Sequence, residues 1–409
     1  MTTTSSQDAG RQDALRQDTG RISFGHTFLC LALLWIAGNG MRLTILAVPP
    51  IIPLIHDDLH MSETQVGILS GLPAALFAFA AVPGSLLIAR VGARTALIVG
   101  LLATGIGSAL RGASPDVAML YATTILTGFG VAVMQPAMPP LVRAWLPTRI
   151  GFATAVYTNG LLIGEVFPVA LTGILILPLV GGNWRADVVV WGVPCIVIAL
   201  IIALLAPRAA AQVATAAPRK WWPDWKSSLI WRLGLMLGSV NAMYFTTNFF
   251  IPNFLRQTGH AADIDAALTA INVGQLPASI LLLFVAGKLV RQKWPYIVSG
   301  LICLVAILGI VYGNSFVIIG GAAMIGFAAA VVLILMLALP PLLSPPDDVH
   351  RTAAAMFTIS YTCALVVPVL SGIAWDLTGA PAAAFLPIGL CAILLIVPAL
   401  SFKIRPYEG

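Results

Sequence analysis

The sequence contains few charged residues. Asp, Glu, Lys and Arg make up 9% of its 409 residues, whereas a soluble globular protein carries roughly 25%. Hydrophobic residues make up 59%, and the mean hydropathy is +0.95. So few charges cannot cover a molecule of this size with a polar surface. The composition therefore excludes a soluble globular protein and predicts an integral membrane protein.

Motifs of enzymes and metal sites are also lacking. All five cysteines lie in apolar runs without C-x-x-C spacing, which predicts neither a disulfide framework nor a zinc site. The chain has no P-loop, H-E-x-x-H or G-x-S-x-G pattern. We therefore expect no enzymatic activity, no cofactor and no metal. The net charge of +6 comes from basic residues at the ends of apolar runs, so it does not predict a nucleic-acid partner.

Long apolar runs dominate the sequence that is present. A helix needs about 20 apolar residues to cross a bilayer. We predict an all-α integral membrane protein of twelve transmembrane helices, at 24–54, 62–89, 95–113, 116–142, 150–178, 186–206, 228–255, 264–287, 295–313, 315–343, 352–376 and 381–402. The widest polar interruption divides them six and six. The predicted parts are a disordered tail (1–23), a six-helix bundle (24–206), a linker (207–227), a second six-helix bundle (228–402) and a short tail (403–409).

Basic residues are distributed unevenly between the two sides of these spans. Of the 22 Lys and Arg residues, we assign only Arg111, Arg185 and Arg256 to the side away from the termini, while Arg42 and Arg232 fall within spans. The positive-inside rule then places both termini and the linker in the cytoplasm. We expect a multi-pass protein of the cell (inner) membrane, surrounded by lipid.

The two predicted bundles resemble each other. Leu72-Pro73-Ala74 recurs as Leu276-Pro277-Ala278, and Pro139-Pro140-Leu141 recurs as Pro340-Pro341-Leu342. These and further matches share offsets of about 200 residues, which indicates a duplicated six-helix unit. Two such halves with a binding site between them are typical of alternating-access carriers. A complete twelve-helix unit can work as a monomer, and we expect one.

Arg42 is the only charged residue in the run from Leu33 to Ile55. An arginine near the middle of a bilayer costs about 2.5–3.5 kcal/mol on insertion scales, so it should face the protein interior or a water-filled cavity. Its planar guanidinium could hold a carboxylate or another planar anion at two points, with Asn39 on the same helix face. Alternatively, Arg42 could be neutralised by Glu165. An ion pair in the empty protein is compatible with both interpretations.

Glu165 is the only acidic residue that the sequence places deep in a span. A carboxylate in an apolar environment takes up a proton more readily than in water unless a cation lies near. Glu165 is therefore a candidate proton carrier. The alternatives are a counter-ion for Arg42 or a group that packs between helices.

Other polar side chains within the spans are candidates for substrate contact. The seventh span has three on one helix face, and the eighth has two that are three residues apart. Any single one could instead form an interhelical hydrogen bond, worth about 1 kcal/mol. The candidates are Asn241, Tyr244, Asn248, Asn272, Gln275, Tyr157, Gln135 and Tyr361.

The loop GSLLIARVGARTAL (residues 84–97) resembles the signature G-x-x-x-D-R-x-G-R-R of the major facilitator superfamily. Arg90, Gly92 and Arg94 match, and the resemblance implies that they form the loop that takes part in conformational change. Ala89 occupies the acidic position and Ser85 that of the first glycine. The usual charge-relay latch is therefore not expected in its usual form. The resemblance also implies the major facilitator fold, with two pseudo-symmetric six-helix bundles.

A narrower resemblance concerns NGMR (39–42), LRG (110–112) and VRAWLPTRIGFATAVYTNGLLIGE (142–165). These segments are similar to the cyanate transporter and nitroimidazole exporter family, which implies a small anionic or polar substrate.

Three functions are compatible with these observations. The leading hypothesis is a secondary carrier for a small anion, coupled to protons through Glu165, with Arg42 binding the anion. The second is an exporter of small neutral heterocycles or drugs, in which Glu165 only neutralises Arg42. The third, from another class, is a membrane sensor without transport activity or an intramembrane enzyme. No cluster of histidine, aspartate or serine with catalytic spacing lies within the spans, which argues against the enzyme.

Overall fold

A computed structural model describes residues 24–61, 63–207 and 221–401. The predicted tails and most of the predicted linker lie outside these residues. The described residues form helices and no strands. The twelve long helices are α1 (Phe24–Gly40), α2 (Glu63–Val91), α3 (Ala93–Gly112), α4 (Val117–Trp145), α5 (Ile150–Leu171), α6 (Trp184–Leu205), α7 (Ser228–Gln257), α8 (Ile264–Val273, continued by Gln275–Leu289), α9 (Trp294–Tyr312), α10 (Ser315–Leu337), α11 (Val349–Thr378) and α12 (Phe385–Ser401).

Short helical segments extend or connect the long helices. Leu43–Leu46, Pro49–Ile51 and Ile52–Leu59 follow α1, and a π-helical turn at Thr172–Ile176 with Leu177–Leu179 follows α5. Pro340–Leu343 follows α10, and single turns at Pro147–Arg149, Ala261–Asp263, Pro346–Asp348 and Pro381–Ala384 precede α5, α8, α11 and α12.

Eleven helices in the described parts of the chain are long and apolar enough to cross a membrane. The remaining long helix, α7, has 30 residues but carries more polar side chains, including Asn241, Tyr244 and Asn248. The predicted all-α membrane fold is confirmed. The five cysteines are free and four of them are buried, as the apolar runs around them indicate.

The first predicted span is interrupted at Arg42. Helix α1 ends at Gly40, and the Arg42 N–H donates to Asn39 O at 3.0 Å, a tighter turn than in an α-helix. A few residues later Pro49, Pro50 and Pro53 supply no backbone N–H, so a regular helix cannot continue through them. The helix axis therefore breaks beside Arg42.

The two halves of the chain meet along two pairs of helices. Helix α2 packs against α11, and α5 packs against α8. Within the first half, α1 and α5 approach so closely that a Cβ on Gly38 would lie 2.1 Å from Tyr157 O. Such small residues allow helix backbones to touch in a membrane protein, where lipid provides no hydrophobic drive for helix association.

One end of the molecule is rich in basic residues, and we call it the basic end. It contains the α2–α3, α4–α5, α8–α9 and α10–α11 connections, with Arg94, Arg149, Arg291 and Arg351. The opposite end contains the ends of α3 and α7 and the beginnings of α4 and α8. Adjacent long helices run in alternating directions, so each end collects every second connection.

The two halves are in close contact at the basic end. Arg143 Nη1 donates to Pro341 O at 2.9 Å and also to Ser344 O. A Cβ on Gly151 of α5 would lie 2.8 Å from Gly287 Cα of α8. These contacts close the basic end between the halves.

Candidate functional site

Two adjoining cavities lie between the halves of the protein. The larger, of about 650 Å³, lies toward the opposite end and is lined by the second part of the first span, the beginning of α2, α5 and α8. The smaller, of about 50 Å³, lies deeper, toward the basic end. Arg42, Glu165, Tyr244, Gln275 and Tyr361 line both cavities. These five residues, all candidates from the sequence, therefore lie where the two cavities meet.

Arg42 lies beside Glu165 at this junction. Arg42 Nε is 3.1 Å from Glu165 Oε1. The Nε–H bond does not point along this line, so the contact is an ion pair rather than a hydrogen bond. Among the described residues, only Tyr361 accepts a hydrogen bond from the guanidinium, from Nη2 at 3.3 Å. The guanidinium thus has more donors than its protein partners use.

Tyr361, on α11 of the second half, contacts Arg42 and two further residues of the first half. Its hydroxyl accepts a second hydrogen bond, from Gln135 Nε2 at 3.2 Å. Its ring lies 5.1 Å from the ring of Phe77, measured between centroids. The Arg42 guanidinium also faces Phe77, with Cζ 5.6 Å from the ring centroid, within the distance for a cation–π contact. The Phe77 ring and the Tyr361 hydroxyl together orient the guanidinium.

Four candidates on α7 and α8 form one hydrogen-bond network. The Tyr244 hydroxyl donates to Asn272 Oδ1 and accepts from Gln275 Nε2 at 3.1 Å. Asn272 Nδ2 donates to Asn248 Oδ1 at 3.1 Å. Tyr244, Asn272 and Gln275 line a cavity, whereas Asn248 lies behind them and lines neither.

The remaining candidates divide between the smaller cavity and the helix interior. Tyr157 and Asn241 line the smaller cavity, where Asn241 Nδ2 donates to Ser360 Oγ at 2.7 Å. Asn39 is buried against Gly160 and Gly164 of α5, and its amide donates to Trp35 O. The structure therefore does not bring Asn39 to the cavity wall, although it lies three residues from Arg42.

The burial of two charged side chains was not predicted from the sequence. Arg111, which we assigned to the outer side, is 1% exposed, belongs to the last turn of α3 and lines the larger cavity. Asp187 in the first turn of α6 is fully buried, whereas the side chain of Glu165 is 26% exposed in the cavity wall. Arg111 and Asp187 both lie near helix ends, where the sequence does not distinguish a buried side chain from one that reaches water.

Arg94 of the signature-like loop forms its hydrogen bonds within the first half. Arg94 Nη2 donates to Ala203 O at 2.6 Å and to Ile202 O at 3.3 Å, near the end of α6. Gly92 has φ +83°, a left-handed conformation that allows α2 to turn directly into α3. Arg90 is exposed. None of these contacts joins the two halves.

The described end of the predicted linker contacts both halves at the basic end. Ser85 Oγ of α2 donates to Trp221 O at 2.9 Å, and Arg351 Nε of α11 donates to Trp222 O at 2.9 Å. Ser85 replaces the first glycine of the signature. With Ala89 in the acidic position, the backbone at Trp221 and Trp222 supplies a connection between α2 and α11.

Gly151 and Gly287 provide a matched test of the closed basic end. We expect Gly151→Ala to disfavour closure by about 1–3 kcal/mol, because its Cβ overlaps the α8 backbone. Gly287→Ala should have no effect, since a Cβ there meets nothing within 4 Å. A cysteine at Thr269, in the wall of the larger cavity, should then react more slowly with a polar thiol reagent in the Gly151 variant only. Equal rates in both variants would show that this contact does not control closure.

Comparisons with known proteins agree with the fold. Residues 32–312 match the Major Facilitator Superfamily. The cyanate transport protein of Escherichia coli (strain K12) is 25% identical over 268 residues, 64% of this chain and 68% of that protein. The 2-nitroimidazole transporter of the same organism is 24% identical over 234 residues, 57% of this chain and 58% of that protein.

A solved structure with the same fold is the proton:xylose symporter XylE bound to 6-bromo-6-deoxy-D-glucose. The two structures superpose with a TM-score of 0.73 at 14% sequence identity. The superposition covers 93% of this chain and 96% of the symporter chain. The resemblance to the cyanate and nitroimidazole transporters is confirmed at the level of sequence similarity. The chain belongs to the Major Facilitator Superfamily and is a membrane transporter rather than an enzyme.

Proposed function

We propose that this transporter is a secondary carrier that moves a small anion by alternating access and couples it to protons. The observation that carries the proposal is the Arg42–Glu165 ion pair at the junction of two cavities between the halves. Carriers built from two repeats bind their substrates at this position.

An anion fits the unused donors of Arg42. The guanidinium is a planar group with five N–H donors, and it binds carboxylates and similar planar anions at two points. Its N–H toward Glu165 is misaligned, so a ligand can form better hydrogen bonds than the protein partner does. A substrate anion would therefore replace Glu165 beside Arg42.

Proton coupling follows from that replacement. With Arg42 paired to substrate, Glu165 loses its neutralising cation and becomes easier to protonate. Substrate binding and proton uptake then favour each other, which is the logic of a symporter. Return of the empty carrier requires Glu165 to release the proton and pair with Arg42 again.

The distribution of charge supports an orientation. If the basic end faces the cytoplasm, as the positive-inside rule predicts for a protein of the cell (inner) membrane, the larger cavity opens outward and the structure corresponds to an outward-facing state. Both halves of the site come from one chain, which supports a monomer as the working unit.

Uptake into proteoliposomes tests the proposal. We expect labelled small anions, such as cyanate and short monocarboxylates, to accumulate when an inward proton gradient is imposed and to equilibrate without it. Neutral analogues of the same size should not accumulate. Proton coupling would be contradicted if the accumulation of every anion that binds were independent of the pH difference.

A second candidate function is export of small neutral heterocycles. It is supported by the wall of the larger cavity, which is mainly apolar and includes Phe77, Phe245 and Val169, and by the similarity to the 2-nitroimidazole transporter. In that case Arg42 and Glu165 neutralise each other throughout the cycle. Transport of a neutral imidazole that is insensitive to Arg42→Lys would favour this candidate over the first.

Cysteine labelling tests which candidates face the substrate. We expect Asn241→Cys and Tyr244→Cys to react with a polar thiol reagent and saturating substrate to slow the reaction, because both positions line the smaller cavity. Asn39→Cys should stay unlabelled, since this position is packed against α5. If substrate slowed the labelling of Asn39→Cys, while Asn241→Cys and Tyr244→Cys stayed unlabelled, Asn39 would face the substrate and the other two would not.

A further inference from the structure

Arg111 brings a second positive charge to the larger cavity. Its side chain is 1% exposed and lines the cavity together with Thr124. Among the described residues, Glu165 is the only acidic residue in the cavity wall, and Glu165 is already paired with Arg42. The described wall therefore contains two cations and one anion, which gives it a net positive charge.

The hydrogen bonds of Arg111 are made to neutral groups. Nε donates to Thr124 Oγ1 at 3.1 Å, and Nη1 donates to Thr44 O at 2.9 Å. Thr44 O lies in the short helix Leu43–Leu46 beyond the break at Arg42, and the Val48 N–H, its partner in a regular α-helix, donates to Ile45 O instead. A neutral amide could satisfy that carbonyl equally well. The local structure thus requires a donor at this position but not a charge.

Arg111 lies between Arg42 and the mouth of the cavity. It belongs to the last turn of α3, at the opposite end of the molecule. Its contact with Thr44 O places it beside the backbone two residues beyond Arg42. A buried cation without an anionic partner is costly and favours binding of an anion from solution.

We propose that Arg111 and Thr124 form a second anion-binding position, nearer the mouth than Arg42, for a small monovalent anion such as a carboxylate or an inorganic anion of similar size. The excess positive charge allows the anion to bind here while Glu165 remains ionised. It then moves on to Arg42, where it displaces Glu165. This last step rests on the proposed function, but binding at Arg111 does not.

The first experiment measures the local electric potential. Thr269→Cys places a thiol on the wall of the larger cavity, and its reaction rates with an anionic and a cationic methanethiosulfonate reagent are compared. We expect Arg111→Gln to lower the anion-to-cation rate ratio by at least about fivefold, and Arg111→Lys to preserve it. Arg256→Gln, which removes an exposed arginine at the end of α7, is the control and should change the ratio little. Equal changes of the rate ratio in Arg111→Gln and Arg256→Gln would overturn the proposal.

The second experiment measures binding directly. Sodium formate should slow labelling of Thr269→Cys by the neutral reagent N-ethylmaleimide, at constant ionic strength, while uncharged formamide should not. The protection should persist in Arg42→Gln, where only Arg111 remains, and disappear when Arg111→Gln is added. Loss of protection in the Arg42→Gln variant, in which Arg111 is unchanged, would overturn the proposal. Failure of pH-driven uptake, by contrast, would contradict the proposed function and leave this result intact.

Discussion

Arg42→Lys is expected to raise the half-saturating concentration of an anionic substrate roughly ten- to a hundredfold, because hydrogen bonds to charged groups contribute about 1.5–3 kcal/mol. Lysine keeps the positive charge beside Glu165 but loses the planar group that binds an anion at two points. It also cannot reproduce the orientation set by Tyr361 and Phe77. The measurement is the concentration dependence of initial uptake into proteoliposomes.

The matched control is Arg256→Lys, the same substitution at an exposed arginine outside both cavities. It should leave the half-saturating concentration unchanged. An Arg42→Lys transporter with unchanged affinity would show that two-point binding of the anion is wrong, even if the positive charge at this position is needed.

Glu165→Gln is expected to abolish accumulation driven by a pH difference while leaving exchange of labelled for unlabelled substrate largely intact. Glutamine preserves the size of the side chain but cannot carry a proton through the cycle. Exchange does not require the empty carrier to return, so it does not require Glu165 to release its proton. Both activities can be measured on the same proteoliposomes.

Asp187 provides the control for this variant. It is a buried carboxylate in the first turn of α6, and it lines neither cavity. Asp187→Asn should retain pH-driven accumulation if it folds normally. The opposite result is that Glu165→Gln retains accumulation and Asp187→Asn loses it. It would show that the coupling residue lies on α6 and that Glu165 is a structural counter-ion.

The helices could be predicted from the sequence because their signal is strong. Twelve apolar runs of sufficient length, with short basic connections, correspond to the long helices of the structure. The break in the first span was harder to predict from the sequence. Its prolines indicate an irregular segment, but the position of the break beside Arg42 depends on how that segment packs against α3 and α5.

The cavity wall was predictable where a polar residue stands alone among apolar ones. Arg42, Glu165, Tyr244 and Tyr361 stand out for that reason, and the structure brings them together. Phe77 does not stand out, because an aromatic residue within a span can face the interior or the lipid. Phe77 is 4% exposed, whereas Phe79, two residues later, is 75% exposed. Only the orientation of α2 separates them.

The burial of Arg111 could not be predicted from the sequence for a related reason. An arginine one residue before a glycine at the end of an apolar run usually extends to water. Its burial depends on Thr44 O, a carbonyl freed by the distant break in the first span, and on Thr124 of a neighbouring helix. No local pattern contains that information.

Proton uptake on substrate binding tests the central claim most directly. The purified transporter is mixed, in weakly buffered solution, with a monovalent anion that it binds. The resulting pH change is recorded with an indicator dye. We predict that the wild-type protein takes up a proton with each anion bound at Arg42, and that Glu165→Gln binds the anion without taking up a proton. Anion binding to the wild type without proton uptake, across the pH range in which it transports, would contradict the exchange of Glu165 for substrate at Arg42.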